Sequence, residues 1–126
     1  MAVPRIVLVV PLLLLGMYLP AMGSHVNDPP PGALGMTHEH FAVDEVNVRC
    51  GQTLTMENDS RWAHIIGPGQ DGLLETDGNV PVARRQLMET NDVFTTGAWT
   101  KPGTYYLTCA VHPEMTVKVV VSDCCC

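Results

Sequence analysis

Between Met36 and Ser122 the apolar residues come in short bursts, most of them alternating with polar ones. Thr53 to Glu57 (TLTME) alternates strictly, the pattern of a strand with one buried face. Phe41 to Arg49 (FAVDEVNVR) alternates in part, at Val46 and Val48, and Cys50-Gly51 ends it. Trp62 to Ile66 is a short apolar run that Gly67-Pro68-Gly69 is expected to break. Asp92 to Trp99 reads as a strand closed by the turn Lys101-Pro102-Gly103. Thr104 to Cys109 is rich in β-formers, and Met115 to Ser122 (MTVKVVVS) predicts a further strand with Val119–Val121 buried as a block. Residues 67–92 carry the weakest pattern: Leu73-Leu74 and Val80–Val82 suggest short strands, and ARRQLME (83–89) fits a helical turn or a strand. Heptads, internal repeats and amphipathic helices of more than two turns are absent from the sequence. Seven or eight short strands in about 90 residues predict an all-β Greek-key β-sandwich.

The two ends follow other rules. Met1 to Arg5 is a short basic start, Ile6 to Pro20 is apolar, and Ala21-Met22-Gly23 offers small residues before Ser24. That is the build of a secretory signal peptide over 1–23. The apolar run is shorter than the ~20 residues of a spanning helix, so an uncleaved anchor is the second reading. Residues 24–36, rich in Pro and Gly, are expected to be a flexible linker, 37–123 the folded domain and 124–126 a Cys-rich tail. Export places the chain in the periplasm or outside the cell, and it meets a membrane only if the leader is retained. Losing Arg5 with the leader takes the formal net charge from −6 to −7, which disfavours nucleic acid and suits basic protein partners.

The candidate chemistry lies in CAVHPEM, Cys109 to Met115. A thiolate, an imidazole and a thioether follow one another at spacings of three, directly after a strand, with Pro113 limiting how the chain leaves His112. A blue copper site needs two His and one Cys near a plane and a weak axial Met. The missing imidazole must come from His25, His38, His40 or His64. His64, at a strand end beside a Gly/Pro loop, is the best placed of these. His38 and His40 read as polar surface, with an accessory metal site as the alternative, and His25 as solvated. Glu114 is the alternative donor to Met115. A structural zinc site would want a second Cys/His pair, and haem attachment would want Cys-x-x-Cys-His; neither is in the sequence.

GTYYLTCAVHPEM, with NDSRWAHIIG upstream, resembles the cupredoxins, the small blue copper proteins, and the Cys-x2-His-x2-Met spacing is similar to the short ligand loop of amicyanin. The resemblance covers most of 37–122 and implies one type 1 copper ion held by His64, Cys109 and His112, with Met115 axial. It implies an electron carrier rather than an enzyme, passing single electrons through His112 between redox partners such as a cytochrome c or a dehydrogenase or oxidase. A copper-delivery protein, and a copper centre with enzymatic chemistry at Glu114, are the alternatives. Two positions depart from the family. Ile65 stands where an Asn often follows the first His, leaving its backbone N–H to reach the thiolate. Val111 stands where Pro often precedes the second His, so a second N–H is expected on the Cys109 sulfur, raising the reduction potential. Trp62 and Trp99 are expected in the core, and one each of Tyr105 and Tyr106 inside and outside. Of five cysteines, Cys50 and the three at 124–126 remain open between bridges within the chain, bridges between chains, lipid attachment and extra metal binding.

Overall fold

The structure, a computed structural model, describes residues 33–122. Its strands are β1 (Ala33–Met36), β2 (Glu45–Arg49), β3 (Thr55–Asn58), β4 (His64–Gln70), β5 (Leu73–Leu74), β6 (Gln86–Met88), β7 (Val93–Thr95), β8 (Gly103–Cys109) and β9 (Thr116–Ser122). One sheet has the order β1-β3-β7; the other has β2-β9-β8-β4-β5, with β6 also paired to β4. The pairs β1–β3 and β2–β9 are parallel and the rest antiparallel. The fold is therefore the expected all-β sandwich. It gains strands over the sequence count because β5 and β6, two and three residues long, are too short to show a period.

The core sits between the sheets. Leu34, Met36 and Met56 face it from the smaller sheet, and Val48, Ile66, Leu107, Val117, Val119 and Val121 from the larger. On β9 burial alternates rather than forming the expected block: Val117, Val119 and Val121 are inward, while Lys118 and Val120 are half-buried. That is the two-residue period of a strand with one face on a core. Trp99 is fully buried, its indole N–H donating to Thr96 Oγ1 at 3.1 Å. Trp62 is not in the core but 52% exposed. Tyr105 and Tyr106 are both half-buried rather than split between inside and outside.

Two boundaries differ from expectation. Strand β1, Ala33–Met36, falls inside the stretch read as linker: Leu34 and Met36 bury their side chains while the strand pairs β3 from Ala33↔Thr55 to Met36↔Asn58. The leader, the first part of the linker and the terminal cysteines lie outside the described residues. The second difference is that Gly67-Pro68-Gly69 does not end a strand: β4 runs through it. The glycines are there because neighbours crowd the backbone. A Cβ on Gly67 would meet the Arg84 carbonyl oxygen at 2.1 Å, and Gly69 has φ of +138°. Pro68 lacks an N–H, yet its carbonyl accepts from Glu75 N–H at 2.7 Å. At the far end of the larger sheet, Cys50 N–H donates to the Ser122 carbonyl at 2.8 Å. Cys50 is disulfide-bonded.

Gly67→Ala should therefore destabilise the domain by about 3 kcal/mol, since the methyl meets backbone rather than a flexible side chain. The check is a lower denaturation midpoint in guanidinium with the slope unchanged; an unchanged midpoint would contradict the close approach.

Candidate metal centre

Strand register builds the site. Ile66 of β4 stands opposite Cys109 of β8, so the two side chains point to the same face. His64 lies two residues before Ile66 and shares that face. His64 opens β4 and Cys109 closes β8, which brings both to one end of the sandwich. The chain then turns tightly from Ala110 to Met115. Ala110 N–H donates to the Ile65 carbonyl at 2.9 Å, Met115 N–H to His112 O at 2.9 Å, and Cys109 N–H to Met115 O at 3.1 Å. Thr108 Oγ1 also donates to Met115 O, at 2.9 Å. These bonds bring the backbone at His112 and Met115 back toward Cys109.

The donors form a triangle. His64 Nδ1 and His112 Nδ1 are 3.2 Å apart, and Cys109 Sγ lies 3.7 Å from the first and 3.8 Å from the second. An ion with bonds of about 2.0 Å to nitrogen and 2.3 Å to sulfur, spread 120° in a plane, needs S···N of about 3.7 Å and N···N of about 3.5 Å. The observed triangle fits that demand, with the N–metal–N angle slightly closed. His64 and Cys109 are fully buried, and so is Met115. Glu114, the alternative fourth donor, is exposed.

A polar knot holds His64. Asn58 is fully buried, and its Nδ2 donates to the carbonyls of Trp62 at 2.7 Å, Met88 at 3.0 Å and Glu89 at 3.1 Å. Its Oδ1 accepts from Ser60 Oγ at 2.6 Å and from Ser60 N–H at 3.0 Å. The Ser60 hydroxyl has one proton, and that short bond uses it. Toward His64 Nε2, 3.0 Å away, Ser60 is then the acceptor. The proton therefore sits on Nε2, and the Nδ1 lone pair is turned toward the other two donors. Burial lowers the His64 pKa from the usual 6.5, and the neighbouring His112 lowers it further; a backbone hydrogen bond at Thr37 opposes them and His38 adds a small push downward. A neutral ring at neutral pH is the ligating form. The NDS turn gave no hint of this role in the sequence beyond its turn-forming character.

The far side of the loop is buttressed by the β4–β5 turn, Asp71-Gly72, in which both residues have positive φ (52° and 79°). Gly72 N–H donates to Thr108 Oγ1 at 2.9 Å, and a Cβ on Gly72 would stand 3.0 Å from Pro113 Cα. The sulfur itself differs from expectation. Among the described residues its only hydrogen-bond-range partners are the two imidazole Nδ1 atoms. Neither Ile65 N–H nor Val111 N–H donates to it; Ile65 ties the loop through its carbonyl instead. His40 stays at the surface, whereas His38 meets His112 edge to face, with ring centroids 5.3 Å apart.

No family model and no curated protein matches the sequence. Solved structures do. A reduced amicyanin variant superposes with TM-score 0.56 at 25% identity, over 71% of this chain and 80% of that one. A second reduced amicyanin variant gives 0.59 at 24% identity, over 75% and 87%. A purple cupredoxin from Nitrosopumilus maritimus gives 0.57 at 20% identity, over 72% and 99%. The chain has the cupredoxin fold. Within that fold His64, Cys109 and His112 with Met115 fit a type 1 copper centre, two imidazoles and a thiolate near a plane with a buried thioether in the same cluster.

Two predictions follow from this site. Asn58→Ala should cost about 3 kcal/mol in the denaturation free energy of the metal-free protein, because the carbonyls of Trp62, Met88 and Glu89 lose their shared donor, the Met88 one in the interior; a loss near zero would contradict the knot. His64, with its pKa depressed in the folded state, binds fewer protons folded than unfolded below the usual 6.5. The metal-free protein should therefore lose stability as pH falls from about 7 to about 5, and His64→Gln should flatten that slope. Equal slopes in the two proteins would contradict it.

Proposed function

We propose that this cupredoxin is an exported carrier of single electrons, holding one type 1 copper ion and moving charge between redox partner proteins. The observation that carries this reading is the near-trigonal triangle of buried His64 and Cys109, on two hydrogen-bonded strands, with half-buried His112 from the loop that follows. Bound copper supplies a one-electron couple at a site whose thiolate donates strongly and whose thioether donates weakly. The chain's part is to hold the donors still. His64 is fixed by Ser60, Cys109 by its pairing in β8, and His112 by the closed turn and the Gly72–Pro113 contact. Donors that do not move between oxidation states leave little to reorganise when an electron arrives or leaves.

The burial of His64, Cys109 and Met115 speaks against an open, exchangeable delivery site, and the exposure of Glu114 speaks against carboxylate ligation with enzymatic chemistry. Partners such as a cytochrome c or a dehydrogenase or oxidase suit the acidic net charge of the chain. The leader-like N-terminus supports periplasmic or extracellular residence, and a bridged Cys50 fits an oxidising compartment.

Copper-loaded protein should show the intense visible absorption of a Cu(II)–thiolate bond and the narrow copper hyperfine splitting in EPR that accompanies it. Cys109→Ser should abolish the absorption while leaving the fold intact by circular dichroism. Stoichiometric copper without thiolate absorption in the wild-type protein would overturn the electron-carrier reading. Met115→Leu should keep the absorption and raise the reduction potential, since the weak axial donor stabilises the oxidised ion; an unchanged or lower potential would contradict an axial Met115.

A further inference from the structure

Beside the copper donors stands a second array of rings. His38 lies edge to face on His112, with centroids 5.3 Å apart and planes at 79°. Trp62 stacks on His38 at 4.3 Å with planes only 18° apart. The three rings thus form a continuous series from the half-buried ligand His112 to an indole that is 52% exposed.

Both outer rings stand on backbone that built-in turns hold in place. His38 sits in a four-residue turn bracketed by the Met36–Phe41 bridge. Thr37 N–H and Thr37 Oγ1 both donate to the His40 carbonyl, at 2.8 and 3.0 Å, and His40 N–H returns to Thr37 Oγ1 at 3.2 Å. Trp62 is fixed by the same knot that orients His64. Its carbonyl accepts from Asn58 Nδ2 at 2.7 Å, and its N–H donates to Ser60 Oγ at 3.2 Å. An exposed large aromatic side chain on a rigid backbone, stacked on a ring that touches a copper ligand, is not explained by core packing.

We propose that Trp62, through His38, is the outer terminus of the path by which electrons reach and leave the copper ligand His112. The proposal rests on the electron-carrier reading above. One stacked and one edge-to-face ring pair join the ligand ring to the protein surface, so a partner need only touch the indole. In exchange between two copies of this chain, one is oxidised as the other is reduced; one electron passes and no bond forms or breaks.

The test is electron self-exchange of the copper-loaded protein, read from NMR line broadening, with the absorption spectrum recorded alongside. Trp62→Leu should slow exchange by about tenfold, ~1.4 kcal/mol in activation free energy, with spectrum and potential unchanged. Trp62→Phe, which keeps a ring on His38, should lose less. Equal rates in all three chains, or equal losses in the two variants, overturn the proposal. In the metal-free protein the His38 ring protons should be shifted upfield by the indole and should relax to ordinary positions in Trp62→Leu; unshifted wild-type protons would also overturn it. A wild-type protein without thiolate absorption would fail at the earlier step, removing the copper reading and the path together.

Discussion

The register between β4 and β8 is the constraint on which the site depends. Ile66 opposite Cys109 places the imidazole of His64 and the sulfur of Cys109, far apart in sequence, on one face at one end of the sheet. A one-residue slip would turn every side chain of one strand to the other face. That slip is blocked because Ile66, Leu107 and Cys109 all belong to the apolar core, and it would turn them away and put the polar Thr108 in their place. Metal geometry is thus protected by hydrophobic burial, a force that does not depend on the metal being there.

Around this register the structure adds polar ties where packing alone would leave freedom. An imidazole can rotate about its own bonds, and Ser60 removes that freedom for His64. Asn58 does the same for the chain between β3 and β4, gathering carbonyls from the neighbouring segment that leads out of β6. Buried amides are costly unless fully bonded, and among the described residues no buried side-chain polar atom lacks a partner. The knot is therefore consistent with a site that stays in place whether or not copper is bound.

Much of this was legible in the sequence, and the unread parts have physical reasons. The strands β8 and β9 announce themselves through β-formers and alternation, and CAVHPEM shows its chemistry because three donors of a four-donor set fall in one loop. His64 was legible from its place at a strand end. Trp62 was not, because composition says only that tryptophan is usually buried; its place at the surface goes with stacking on His38, which comes from the turn after β1. Gly67-Pro68-Gly69 looked like a break because glycine and proline usually are, whereas here the glycines make room for carbonyls of distant residues. Backbone donors to the sulfur were expected from the absence of proline at Val111, but an available N–H is not an aimed one.

The central claim is that sulfur and two imidazoles from distant parts of the chain bind one copper ion. X-ray absorption at the copper edge of the loaded protein addresses it most directly. The account predicts one short copper–sulfur bond and two copper–imidazole bonds on the same ion. A first shell of nitrogen and oxygen alone, with no short sulfur, would contradict it.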